Sequence, residues 1–182
     1  MKRSAIAVLV LGLAFSAGVR EASAQSFTFG VGGGLTIPTG DFNTAAKMGW
    51  HGLGQIGYGL KSGLGLRGDF YYGENKFDGV SGKTKLAGGL GNVTYDFQTS
   101  SGIKPYVIGG LGVFNVKASA SAGGISASAS ETKFAFAGGA GLKFKAGSDS
   151  HFYVESRYVS VQTSGGSTGF IPITVGISFG TK

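Results

Sequence analysis

The chain has no cysteine among its 182 residues. That excludes a disulfide framework, a thiolate metal site and a lipid anchor on an N-terminal cysteine. Proline is scarce, at 3 residues, and charged residues make up only 14%. Two histidines, His51 and His151, leave little for imidazole catalysis or metal binding. Beyond residue 25 no apolar run approaches the roughly 20 residues of a membrane helix, and no stretch shows helical periodicity.

What the chain has in quantity is glycine, 36 residues, together with 14 Phe and 7 Tyr. Disordered chains are poor in aromatics, so this composition predicts a folded, glycine-rich protein. Residues 1–24 read as an export segment to be removed before Gln25. "MKRS" supplies positive charge, "AIAVLVLGLAF" is an apolar run of 11 residues, and "ASA" at 22–24 places small residues at a cleavage site. Residues 25–182 are then one domain. Without Lys2, Arg3, Arg20 and Glu21 the net charge is +5, scattered along the chain. Nucleic-acid binding needs a stripe or cluster, so it is not expected.

The rest of the chain reads in steps of two. "SFTFGVGGGLT" puts Phe27, Phe29, Val31 and Leu35 on one face and Thr28, Gly30, Gly32, Gly34 and Thr36 on the other. That period belongs to a strand with unlike sides. It recurs over 26–37, 50–60, 64–73, 86–97, 103–116, 131–145, 151–161 and 170–180. One face of each strand is free of charge. The other carries Arg67, Asp69, Asp96, Lys104, Lys133, Lys143, Lys145, Glu155 and Arg157. Short connections alternate with long ones. "KSG" at 61–63 suits a three-residue hairpin with Gly63 in the left-handed position.

Aromatics decide which face meets what. On the charge-free face Phe27, Tyr95, Phe97, Phe144, Phe152 and Phe179 fall at the short-turn end. Trp50, Tyr72 and Phe134 fall at the long-loop end. Two aromatic girdles around an apolar band suit a lipid-facing wall. In hydrocarbon every backbone amide must be paired, so the sheet must close. The expected fold is all-β: an eight-stranded antiparallel up-and-down transmembrane β-barrel, its interior filled by side chains.

"LAGGLGNVTYDF" (86–97), "KPYVIGGLGV" (104–113) and "IPITVGISFG" (171–180) resemble the small outer-membrane β-barrel family, of the OmpA transmembrane-domain and opacity-protein type. The resemblance implies an outer-membrane location among lipid and lipopolysaccharide, insertion by the barrel-insertion machinery, and a monomer without cofactor or metal. Such barrels usually end on an aromatic residue that the insertion machinery reads. Here Phe179 is followed by Gly-Thr-Lys, so either the tail is tolerated or the signal is weaker.

Five groups are candidates for function. Strands three and seven face each other across an eight-stranded ring. Arg67 is then level with Glu155, and Asp69 with Arg157. These four are expected to form cross-lumen ion pairs, as a structural plug or a gate. Asp96 and Lys104 flank "QTSSG" and are expected to pair if Phe97 sits opposite Ile103. Lys47, Lys76 and Lys83 lie in the first two long loops, where they could meet lipopolysaccharide phosphates. His51 and His151 are read as rim residues at opposite ends, too far apart for shared chemistry. The serine- and alanine-rich "KASASAGGISASASE" (117–131) is expected to fold at Gly123-Gly124 into a hairpin with Ser119 opposite Ser128 and Ala118 opposite Ala129.

The expected function is non-catalytic: envelope structure, or surface contacts through the outer loops. One alternative is a passive channel for small hydrophobic compounds, with Tyr106, Ile108 and Phe114 lining the lumen. Another is a soluble lipocalin-like binder.

Overall fold

The computed structural model describes residues 26–40, 43, 46–77, 82–122, 125–163 and 166–180. The expected export segment 1–24, the Gly123-Gly124 turn and the last two residues of the tail lie outside these. The strands are β1 (Ser26–Thr39), β2 (Gly49–Gly59), β3 (Leu64–Lys76), β4 (Gly82–Asp96), β5 (Ile103–Ala122), β6 (Ile125–Lys145), β7 (Ser150–Thr163) and β8 (Gly166–Gly180). They form a closed barrel in sequence order, with β8 antiparallel to β1. Closure leaves no sheet edge around the wall.

Alternation puts the apolar face outside. Phe70 is 71% exposed, flanked on its neighbouring strands by Gly54 and Gly89. Phe27, Trp50, Tyr72, Tyr95, Phe97, Phe134, Phe152 and Phe179 also face outward and exposed, while Phe144 is half-buried. On β5 the apolar wall runs from Ile103 to Val113. At a rise of about 3.3 Å and a tilt of about 40° this covers about 25 Å, the height of a hydrocarbon band. A continuous exposed apolar belt is unstable in water and stable in lipid.

The interior has two layers. Towards the long loops lies an apolar cluster of Leu53, Tyr71, Leu86, Leu90, Phe114 and Phe170, with Ala135, Ala137, Val159 and Val161. Below it lie the charged residues of β3 and β7. Glycines opposite the large side chains make the room. A Cβ on Gly141 would come 2.5 Å from the Tyr106 ring, and one on Gly88 would come 2.7 Å from the Phe114 ring.

Several strands outrun their expected limits at the long-loop end. β4 starts at Gly82, β5 continues to Ala122 and β6 begins at Ile125. The β5–β6 pairing has Ser119 opposite Ser128, Ala118 opposite Ala129 and Val113 opposite Phe134. At the short-turn end, Lys61–Gly63 forms a tight 3-10 turn with positive φ at Ser62 (65°) and Gly63 (84°).

Candidate functional site

Four charges meet in the lumen. Arg67 Nη2 lies 2.8 Å from Glu155 Oε2, and Arg157 Nη1 lies 2.6 Å from Asp69 Oδ2. Each arginine also meets the acid two residues away on its own strand: Arg67 Nε to Asp69 Oδ1 at 2.9 Å, and Arg157 Nε to Glu155 Oε1 at 2.8 Å. Alternation causes this, since positions i and i+2 share the inner face. The Tyr106 hydroxyl donates to Glu155 at 2.7 Å and the Asn92 amide to Asp69 at 3.0 Å. Side-chain exposure is 8% or less for all four charged groups. Two cations and two anions give a neutral cluster, which is how buried charge is tolerated.

The expected Asp96–Lys104 pair does not form. The Phe97 N–H donates to the Pro105 carbonyl at 2.9 Å, and Asp96 faces Tyr106. The register is thus two residues from the one that would bring Asp96 to Lys104. Asp96 instead binds Lys143 of β6, whose Nζ lies 2.7 and 2.8 Å from its two oxygens. The Lys143 side chain reaches there over the Tyr106 ring, 4.8 Å from its centroid. Lys104 is exposed on the inner face and stands opposite Lys143.

His51 is not a rim residue. It is 2% exposed, stacked on Tyr71 with ring centroids 5.0 Å apart. Its ring nitrogens lie 3.2 Å from the Thr36 hydroxyl and 2.9 Å from that of Thr174. The strands continue past it towards the long loops, so it caps the apolar layer from within.

The three loop lysines lie side by side. The Lys47 N–H donates to the Lys76 carbonyl at 2.8 Å, and Lys76 pairs directly with Lys83 across β3–β4. Two more belong to this face. Lys85 stands opposite Glu74 on one side and Lys117 on the other. Like charges placed directly opposite one another destabilise a sheet unless something anionic lies between them. Glu74 is the acid at hand, and it is bound to Lys83 at 3.1 Å. No carboxylate ion-pairs with Lys85 or Lys117 among the described residues. The patch begins directly above Trp50 and Tyr72, so it sits where the apolar band ends. "KTKL" carried the signal, since Lys83 and Lys85 share a face when β4 begins before residue 86.

The sequence matches the outer membrane protein beta-barrel domain over residues 6–179. The chain belongs to this family. It is an outer-membrane β-barrel whose strands cross the membrane. No curated protein is similar in sequence at a significant level. Among solved structures, Neisserial surface protein A (NspA) superposes with a TM-score of 0.63 at 18% identity, covering 86% of this chain and 99% of its own. Ail of Yersinia pestis, solved with the heparin analogue sucrose octasulfate, gives 0.62 at 19%, covering 86% and 100%. The N-terminal barrel of Pseudomonas aeruginosa OprF gives 0.54 at 21%, covering 86% and 97%. At these identities the likeness is one of fold.

Proposed function

We propose that this outer-membrane barrel is a non-catalytic surface protein that binds lipopolysaccharide phosphates through its lysine face and presents the β5–β6 hairpin for contact. Short turns face the periplasm in this architecture, which puts both termini there and the lysine face outside. The observation that carries the reading is the joined row of Lys47, Lys76, Lys83, Lys85 and Lys117 directly above the Trp50–Tyr72 girdle. A lysine near an anionic membrane surface contributes up to about 1 kcal/mol, so several together make a firm contact. Ail, a fold relative, was crystallised with a polyanion, and this lysine face suits the same ligand chemistry.

The lumen supports a non-channel role. Leu86, Phe114 and Phe170 are fully buried in the upper layer, and the charged quartet fills the lower one. In the same reading residues 1–24 are the export signal. The intact mass of the purified protein checks this and should begin at Gln25.

The test is urea unfolding in vesicles with lipopolysaccharide or with its dephosphorylated form. Phosphate should stabilise the native protein. The variant Lys76→Gln/Lys83→Gln/Lys85→Gln/Lys117→Gln should lose most of that gain. An equal gain in the variant would reject the reading.

A further inference from the structure

The short-turn mouth of the barrel is a bowl rich in hydrogen-bond donors. Its cavity is about 240 Å³. Ser26, Thr28, Thr94 and Ser178 bring hydroxyls to it, and Lys104 and Lys143 bring ammonium groups. Asp96 is the only carboxylate among the described residues that line it. Lys145 stands one step nearer the rim, opposite His151.

The charges in this bowl do not balance. Lys104 and Lys143 are direct cross-strand partners on the inner face. That placement starts two lysine side chains from directly opposite positions of one face, a like-charge pairing that destabilises a sheet. Asp96 answers for one of them, with both oxygens on Lys143. The Arg67 guanidinium at the floor is already held by Asp69 and Glu155. Positive charge, fixed hydroxyls and an enclosing wall together suit a polyatomic oxyanion. Charge-assisted hydrogen bonds to such a group are stronger than neutral ones.

We propose that the periplasmic mouth of the barrel binds a multiply charged oxyanion, phosphate- or carboxylate-bearing, with Lys104 and Lys143 as its charge partners. Asp96 is then the internal carboxylate that the ligand competes with for Lys143. The site is independent of the outer lysine face, at the opposite end of the barrel.

The experiment is an NMR titration of the barrel in uncharged nanodiscs with inorganic phosphate and, separately, with citrate. The His151 ring and the amides of 94–104 and 143–151 report on binding. Saturable shifts of these mouth reporters are expected, separate from any phosphate-dependent shifts at the outer lysine face. An exposed ion pair contributes up to about a fivefold change in affinity, so Lys104→Ala should weaken binding by that order. Asp96→Asn should tighten it by freeing Lys143, and Gln162→Ala, at the opposite end of β7, should leave it unchanged. Saturation by phosphate alone would assign a phosphate-bearing ligand, and by citrate alone a carboxylate-bearing one. Shifts that fail to saturate with both probes, or equal affinity in Lys104→Ala, would overturn the proposal.

Discussion

Replacing Glu155 by Gln removes one negative charge from the lumen quartet and keeps the side chain's shape. Glu155 holds Arg67 at 2.8 Å and Arg157 at 2.8 Å, and accepts from Tyr106 at 2.7 Å. Without its charge the two arginines share Asp69 alone. The interior then carries an excess positive charge at side chains no more than 8% exposed. Removing one partner of a buried pair costs about 3–5 kcal/mol, because the other charge is left uncompensated. The assay is urea unfolding in lipid vesicles, followed on unheated gels that separate folded from unfolded barrel. The double variant Arg67→Met/Glu155→Leu is the decisive companion. It leaves Arg157 paired with Asp69 at 2.6 Å, a neutral remainder. It should therefore be more stable than either single variant, since buried pairs removed together cost far less than one partner removed alone. A Glu155→Gln cost below about 1 kcal/mol, well under that range, would show that the quartet does not depend on charge balance. So would a double-variant cost equal to the sum of the two single ones.

Three further outcomes are expected. A Cβ on Gly112 would lie 2.9 Å from the Leu90 Cα in the facing backbone, whereas one on Gly52 would meet nothing within 4 Å. Gly112→Ala should cost about 1–3 kcal/mol and Gly52→Ala less than about 0.5 kcal/mol, measured by the same unfolding assay. The β6 segment from Ile125 to Phe134 pairs with β5, while the β6–β7 register begins only at Ala135. Hydrogen exchange there should alternate, slow at amides bonded to β5 and fast at those facing the open edge. Uniformly fast exchange across 117–131 would count against the paired hairpin. In planar bilayers the reconstituted protein should pass no discrete current, and reproducible single-channel steps would show that the packed lumen opens.

The wall was legible in the sequence because a lipid-facing strand needs strict alternation. Phe70 between Gly68 and Tyr72 shares a face only if the period is two. Legibility faded where lipid ends. Above Tyr72 and Val113 the outer face meets water instead of lipid and turns polar, while the inner face there holds buried polar residues such as Asn75 and Thr84, so the contrast between the faces disappears while backbone pairing continues. That is why Lys83, Lys85 and Lys117 lay beyond the expected strand limits. Arg67, Asp69, Glu155 and Arg157 could be placed together because facing strands at equal depth need only counting. Lys143 could not be assigned to Asp96 in that way. The contact spans two strands, from β4 over Tyr106 to β6, and depends on a register that runs two residues past the expected one. His51 looked terminal because "GWHG" opens a strand, yet its neighbours β1 and β3 rise past it and bury it.

Native mass spectrometry of the barrel released from lipopolysaccharide-containing membranes is the most direct test of the outer lysine face as a phosphate site. The wild-type protein should retain lipid A with its phosphates, and should lose it when the phosphates are removed or when Lys76, Lys83, Lys85 and Lys117 are changed to Gln. Retention that is indifferent to phosphate and to these four lysines would contradict it.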